Sequence, residues 1–335
     1  MKKNRIIITG GSGFIGINLA LELLQNKNNI ILNIDNLTYA SNDDYMLRKY
    51  SNYSFIKENI IFKNKIANIL KKFKPNIIFH LAAESHVDRS IFKSNKFIST
   101  NIIGTYNLAE CFNKYIFSTQ KSNNNNNNNF KFIYISTDEV YGDNFLKKKY
   151  RNFENDRLLP SSPYSSTKAS SEMIINGWNR TFKLPAIICR PSNNYGPFQN
   201  KEKFIPLVIS NFLQNTKIPV YGSGKQIRNW IFVKDTVKAL IKVMNKSQIG
   251  KIYNISSDFE IENLKLIKLI HDQLSKRGLV TNKNYKSFVN HVPDRLGHDY
   301  RYSIDNKKIK SDLKWNSKTT MADGIKETIN WYLDK

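Results

Sequence analysis

The sequence predicts an α/β fold: a doubly wound parallel sheet followed by a smaller, loop-rich C-terminal α/β domain. Three observations predict it. Short apolar, β-branched runs alternate with helix-periodic segments up to about residue 190. A glycine turn joins the first run to the first helical segment. Beyond residue 190 the alternation breaks down, and Pro, Gly and aromatic residues interrupt short apolar runs. Strands covered by helices on both faces read as continuous apolar stretches, which is the pattern of the first part.

Residues 5–9 form the first apolar run and stop at glycine, and Phe14 to Lys27 has helical periodicity. Ile30 to Asp35 predicts a second strand and Phe55-Ile56 marks a third. Ile77 to Ala83, Phe132 to Thr137 and Pro185 to Arg190 predict three more, separated by helices over 63–73, 95–118 and 164–182. Later, Trp230 to Val233 reads as a strand and 235–245 as a helix, both candidates to return to the main sheet. Residues 261–275 and 322–333 read as amphipathic helices. The expected division is 1–190 for the first domain, with segments near 229–250 returning to it, and 191–335 for the second. Ser122 and the asparagine run Asn123 to Asn129 are low-complexity and predict a disordered surface loop with no assigned function.

Composition excludes several classes. The chain has 335 residues and is 40% hydrophobic, enough for a substantial core. No apolar run is long enough to cross a bilayer, and the N-terminal run is too short for a signal peptide, so a cytoplasmic location is expected. Cys111 and Cys189 suit a reducing compartment and offer no disulfide framework. No histidine pairs with a cysteine at metal-ligand spacing, so no metal site is expected. Lys and Arg number 52 against 27 Asp and Glu, a net charge of +25. A nucleic-acid footprint requires clustered charge. Only Lys147-Lys148-Lys149 clusters, so the charge reads as solvated surface and neither nucleic acid nor membrane is expected as a partner.

The turn after the first run is Thr9-Gly10-Gly11-Ser12-Gly13-Phe14-Ile15-Gly16. Gly10, Gly13 and Gly16 permit a tight turn, close approach to a pyrophosphate and close helix–sheet packing. The helix N-terminus then faces the phosphates. Asp35 ends the second run, where a carboxylate accepts ribose hydroxyls and repels a 2′-phosphate. Together these predict a Rossmann-type domain that binds NAD in preference to NADP.

Asp138 and Glu139 directly follow the fifth run, and Tyr164 and Lys168 lie one helical turn apart. A phenol beside an ammonium suits oxidation of a hydroxyl, and paired carboxyls suit acid–base work. Alone, the carboxyls also fit a helix N-cap with an acidic first turn, and Tyr164 a core position. In one stretch the four read as chemistry. His86 is assigned none.

Longer blocks narrow the reading. They are Asn33-Ile34-Asp35-Asn36-Leu37-Thr38-Tyr39-Ala40, His80-Leu81-Ala82-Ala83-Glu84-Ser85-His86-Val87-Asp88-Arg89-Ser90 and Ser136-Thr137-Asp138-Glu139-Val140-Tyr141-Gly142. Ser161-Ser162-Pro163-Tyr164-Ser165-Ser166-Thr167-Lys168, Ser192-Asn193-Asn194-Tyr195-Gly196-Pro197 and Pro293-Asp294-Arg295-Leu296-Gly297-His298-Asp299 follow. Over nearly its whole length the chain resembles the dTDP-glucose 4,6-dehydratase family of the extended short-chain dehydrogenase/reductase superfamily. The resemblance implies a lyase that oxidises C4 of the glucose with NAD, eliminates water across C5 and C6, and reduces C6, in deoxysugar biosynthesis. It implies Tyr164 as base for the C4 hydroxyl, with Lys168 lowering its pKa and holding the nicotinamide ribose, and Thr137 hydrogen-bonded to the same hydroxyl. Glu139 would remove the C5 proton and Asp138 protonate the departing C6 hydroxyl.

By the same resemblance, NAD contacts fall on Phe14 and Ile15, on Asp35, Asn36, Leu37 and Thr38, and on Asn59 and Ile60. They continue on Leu81, Ala82, Ala83 and Ser85, then Thr100, Tyr164, Lys168 and Asn194. Sugar-nucleotide contacts fall on Ser85, Thr137, Asn193, Lys203 and Phe204, then Pro219, Tyr221, Arg228, Asn263, Arg295 and His298. Arg228 and Arg295 suit a diphosphate, although either alone also fits surface charge, and Asn193 and Asn194 also fit a turn. A homodimer joined through a four-helix bundle is implied, with helices from segments near 102–118 and 165–182. The chain departs from the family at Asn59, where Asp is usual, and at Asn200-Lys201, where Phe-Pro is usual. The stretch 144–156 is short and lysine-rich for the family. UDP-glucose is the alternative substrate for the same chemistry. A 4-epimerase would not need Asp138 and Glu139, and a non-catalytic nucleic-acid-binding Rossmann protein would need none of the five catalytic candidates.

Overall fold

The computed structural model describes residues 3–43, 45–122, 129–145 and 149–334. The asparagine run over 123–128 and Lys147-Lys148 therefore lie outside the described residues. The first half comprises β1 (Asn4–Thr9), α1 (Phe14–Leu24), β2 (Asn29–Asp35), β3 (Tyr53–Lys57), α2 (Lys63–Phe73) and β4 (Ile77–His80). Short helices α3 (Val87–Phe92) and α4 (Ser94–Phe97) lead through a widened helical turn, Ile98–Gly104, into α5 (Thr105–Ser122). Then come β5 (Lys131–Ile135), a tight 3₁₀ turn at Asp138–Tyr141, α6 (Pro163–Phe182), β6 (Ala186–Pro191) and β7 (Asn193–Tyr195). The remainder comprises α7 (Phe204–Leu213), β8 (Ile218–Tyr221), β9 (Ile227–Phe232), α8 (Val233–Lys246), β10 (Ile252–Ile255), β11 (Glu260–Glu262), α9 (Asn263–Ser275), β12 (Val289–Val292), α10 (Lys307–Leu313) and α11 (Met321–Leu333).

The main sheet runs β10-β6-β5-β4-β1-β2-β3, and every neighbouring pair in it is parallel. Its faces follow from the two-residue period of a strand. Ile6, Ile8, Phe79, Ile133, Ile135 and Ile187 pack with α1, α8 and α10 on one side. Ile7, Leu32, Ile78, Phe132, Tyr134 and Ile188 pack with α2, α5 and α6 on the other. This is the Rossmann-like α/β architecture that the alternating runs predict. A separate core lies among α7, α9, α11, β8 and β9.

The structure differs from the sequence reading in three places. The strand expected at 230–233 forms over Trp230 to Phe232 as the end of β9, with Val233 already opening α8, but it pairs with β7 and β11 in a three-stranded sheet and does not return to the main one. The strand that does extend the main sheet is β10, alongside β6. Helix α8 returns as well, with Val237, Leu240 and Val243 in the core on α1. Second, β4 ends at His80, and residues 81–86 leave the sheet as a loop. Third, the helix expected over 95–118 is widened by one turn at Ile98–Gly104. There Asn101 turns inward, accepting from Glu84 N–H at 2.9 Å and donating to Glu84 C=O at 3.0 Å and Thr167 Oγ1 at 2.9 Å. Widened turns of this kind recur at functional sites.

Strand order reverses between β1 and β4, and the register sets Thr9 beside His80 and His80 beside Tyr134. Three carboxyl ends are thus level, and the crevice beyond such a switch point is where ligands enter this architecture. Helix α6 begins beside it with a reciprocal cap: Ser165 N–H donates to Ser162 Oγ at 3.1 Å and Ser162 N–H to Ser165 Oγ at 3.0 Å, with Pro163 at the first helical position. Ser162→Ala removes that cap and should lower stability by about 1 kcal/mol, read as a reduced urea midpoint with an unchanged slope.

Candidate active site

A cleft of about 1250 Å³, open to solvent, lies beyond the carboxyl ends of β1 and β4. Gly10 and Gly16 form its floor. Gly10 has φ +72°, and a Cβ there would stand 2.7 Å from the backbone nitrogen of Ala82. At Gly16 a Cβ would meet the Gly11 Cα at 2.7 Å. Only glycine lets this turn and the helix behind it approach so closely. Asp35 is buried at the cleft edge. Its Oδ2 accepts from Ser12 N–H at 3.0 Å, and its Oδ1 from Leu37 N–H at 2.8 Å and Ser41 Oγ at 3.1 Å. The glycine floor, the helix N-terminus and a carboxylate already oriented fit a dinucleotide.

Of the residues expected at the cofactor, Gly13, Phe14, Ile15, Asn36, Thr38, Asn59 and Ile60 line this cleft, as do Leu81, Ala82, Ala83, Ser85, Thr100, Tyr164 and Lys168. Leu37 and Asn194 are not on its walls. Leu37 has φ +53°, which turns its side chain outward to 43% exposure while its N–H holds Asp35. Asn194 acts at one remove: its carbonyl accepts from Gln199 Nε2 at 2.9 Å, and Gln199 lines the cleft. Sequence reasoning missed Ser41 and Gln199, which lie just beyond the blocks around Asp35 and Asn194, and Asn101, whose partners Glu84 and Thr167 come from other segments. It also passed over Ser136, which directly precedes Thr137 and was within reach of the motif.

The 3₁₀ turn carries the carboxyl pair. Glu139 N–H donates to Thr137 Oγ1 at 3.3 Å, so Thr137 caps the turn. Asp138 Oδ2 and Glu139 Oε2 are both buried without a partner among the described residues. Burial raises the Asp138 pKa to about 8, with the Glu139 charge adding to the effect. Burial also raises Glu139, but Arg295, Arg228 and Lys203 oppose it. Tyr164 is pushed up by burial and then by Glu139, while the Thr137 hydroxyl pulls it down. Its ring meets Phe97 edge-on at 6.4 Å. Burial lowers Lys168 to about 7; its ammonium donates to Ile135 C=O at 2.6 Å and sits 4.3 Å from the Tyr134 ring centre.

Around the carboxyl pair lie cations and aromatic groups from the second half. Lys203 Nζ donates to Ser85 C=O at 3.0 Å, and both residues line the cleft. Arg295 Nη1 is 3.5 Å from Asp88 Oδ1, and Tyr221 donates to Asp88 Oδ2 at 3.0 Å. Arg295 Nε is buried and without a hydrogen-bond partner among the described residues. Arg228 donates to the carbonyls of Ile227, Tyr300 and Asp299 and lies over the Tyr302 ring. His298 pairs with Asp294 at 2.6 Å and meets the Tyr221 ring edge-on. Pro219 and Tyr221 share the exposed side of β8, and Phe204 stacks on Trp230. Asn193 Oδ1 is buried and unpartnered among the described residues. Asn263 heads α9, its N–H donating to Gln226 C=O.

The arrangement unites a dinucleotide cleft, a phenol with a nearby amine, and two carboxyls in unequal environments. The raised Asp138 pKa has a stability consequence. Between the unfolded value near 3.8 and about 8 the folded chain holds the extra proton, so stability falls as pH rises through that window. Asp138→Asn removes this dependence. Its melting temperature relative to the parent should rise progressively from pH 4 to pH 8, as calorimetry would record.

The GDP-mannose 4,6 dehydratase family profile matches residues 7–328. The dTDP-glucose 4,6-dehydratase of Haemophilus influenzae is 43% identical over 335 residues, covering 98% of this chain and 97% of that one. The crystal structure of dTDP-glucose 4,6-dehydratase from Bacillus anthracis in complex with NAD superposes with a TM-score of 0.86 at 36% identity, covering 99% and 97% of the two chains. That of the Streptomyces venezuelae dTDP-glucose 4,6-dehydratase, with NAD and TYD bound, gives 0.87 at 32% identity, covering 98% and 97%.

Proposed function

The chain belongs to the dTDP-glucose 4,6-dehydratase family, and on that footing we propose that it converts dTDP-glucose to its 4-keto-6-deoxy product with NAD as cofactor. The observation that carries the reading is the carboxyl pair. Two adjacent buried acids have unequal surroundings, one held protonated near neutral pH and the other facing three cations. Elimination of water needs one acid and one base, and environments that split two carboxyls supply them.

Bound NAD supplies the acceptor for a hydride from C4 and later the donor of a hydride to C6. Tyr164 takes the proton of the C4 hydroxyl, and Thr137 orients that hydroxyl. Lys168 stands on the same helix face and favours the phenolate through its charge. The 4-ketone so formed acidifies C5. Glu139 removes the C5 proton, Asp138 gives its proton to the C6 oxygen, and the C6–O bond breaks to release water. Glu139 then returns a proton to C5 as the hydride reaches C6. The sum is loss of one water with no net redox change. Arg295, Lys203 and Arg228 put positive charge where a nucleoside diphosphate would lie, and the unpartnered Arg295 Nε supports that assignment.

An epimerase would use Tyr164 and Lys168 but leave Asp138 and Glu139 without employment, which weighs against it. The departure at Asn200-Lys201 keeps UDP-glucose as the alternative substrate. Incubation with dTDP-glucose or UDP-glucose, without added reductant, should give a 4-keto-6-deoxy product from the former; absence of product from both would overturn the dehydratase reading. Glu139→Gln should slow elimination by roughly 10²-fold or more while leaving C4 oxidation nearly intact, so NADH absorbance should accumulate in a single turnover.

The proposed division remains a nucleotide-binding unit over 1–190 and a substrate unit over 191–335. It is supported by the separate core of the second half, with α8 and β10 packing back on the first. No helix among the described residues is long and apolar enough to cross a membrane, and both cysteines are free and buried. These features support a cytoplasmic enzyme. Exposed Phe117 on α5 (49%) and Met173 and Phe182 on α6 (53% and 45%) support the two-helix face as the homodimer contact. Met173→Glu should shift the protein from dimer to monomer in size-exclusion chromatography with light scattering.

A further inference from the structure

The two catalytic pairs ride on different elements: the carboxyls on the Asp138–Tyr141 turn, and Tyr164 and Lys168 on α6. Elimination needs the substrate held against both at once. The last residue of the turn, Tyr141, is buried and off the cleft wall. Its hydroxyl receives a hydrogen bond from Arg190 Nη1 at 2.5 Å and donates to Asn254 Oδ1 at 2.8 Å. Arg190, on β6, also grips Glu172 through Nε at 3.0 Å and Nη2 at 2.6 Å. Glu172 lies one turn beyond Lys168 on the buried side of α6 and is fully buried. A further bond from Arg190 Nη1 goes to Glu154 C=O at 3.0 Å, in the segment between the turn and the helix. One planar guanidinium, 2% exposed, thus holds both catalytic elements.

Resting on the dehydratase reading above, we propose that Arg190 is a positioning residue that registers the carboxylate turn against the Tyr164–Lys168 helix, through the Tyr141 hydroxyl on one side and Glu172 on the other. A guanidinium suits this task because its donors diverge in one fixed plane. The link bears on the elimination step. Oxidation at C4 uses Tyr164 and Lys168 of α6, the cofactor and, ahead of the turn, only the Thr137 hydroxyl that follows β5, whereas elimination also requires Asp138 and Glu139 to meet C6 and C5. A displacement near 1 Å costs up to roughly 10²-fold in rate.

Tyr141→Phe tests the link directly. It keeps the ring, over which the Arg190 guanidinium lies at 4.8 Å, and keeps the Arg190–Glu172 pair, but removes the bond to the turn. In single turnovers with dTDP-glucose, rapid quenching separates the 4-keto-glucose nucleotide from the dehydrated product. Elimination should slow about tenfold while C4 oxidation changes less than about twofold. Arg190→Lys, which keeps charge beside Glu172 but cannot fork, should shift the ratio of the two rate constants the same way. That ratio is independent of how much protein is folded, so loss of stability alone does not move it. A ratio equal to the parent's, or one shifted toward slower oxidation, overturns the proposal. Failure of the unaltered protein to form product overturns the dehydratase reading instead.

Discussion

The imidazole of His80 joins the carboxyl ends of β1 and β4 to the start of α5. One ring nitrogen meets Thr9 Oγ1 at 2.7 Å and the other meets Thr105 Oγ1 at 2.8 Å. Burial lowers its pKa to about 3, aided by the Lys168 charge, so the ring is neutral and has one donor and one acceptor to offer. Two hydroxyls, each able to rotate into either role, satisfy it fully. The clamp sits where strand order reverses. Gly10 and Leu81 follow directly on the two strands it ties, and the close passage of Gly10 by Ala82 depends on those ends staying level. The cleft floor, the loop over 81–86 and the widened turn carrying Thr100 and Asn101 are all referred to this one buried contact.

Electrostatics then separates residues that are neighbours in sequence. Asp138 and Glu139 share a turn, yet successive side chains leave it in different directions. Asp138 meets burial and the charge of its neighbour, opposed by Arg228; Glu139 meets burial opposed by Arg295, Arg228 and Lys203, all from the second half of the chain. Among the described residues Asp138 Oδ2 and Glu139 Oε2 have no partner. Such groups are costly to bury in the free protein, and a ligand that pairs them recovers that cost.

Much of this was legible in the sequence where spacing is local. The glycine turn, Asp35, the carboxyl pair and Tyr164 with Lys168 all depend on neighbours within a turn or a strand end; the glycines, Asp35, Tyr164 and Lys168 line one cleft, and the charges of Glu139 and Asp138 reach Tyr164 at its wall. What was illegible depends on partners far along the chain. A strand at 230–233 can be read from its residues, but its place in the small sheet is decided by β7 and β11. Strand β10 is only four residues, too short for periodicity to separate from loop. Asn101 sits in an unremarkable helical pattern, and only the fold shows it turned inward to hold Glu84 and Thr167.

The central position of β1 has a further consequence for how the chain is made. Its neighbours are β2 and β4, so β1 keeps one open edge until residue 80 has emerged. The opposite border waits longer, since β10 joins β6 only after residue 255. Parallel pairing of this kind closes long loops before it gains contacts, which slows folding. An uncovered apolar edge is a template for the wrong neighbour during that interval. The same topology that creates the crevice therefore leaves the edge of β1 exposed while the rest of the sheet is still being made.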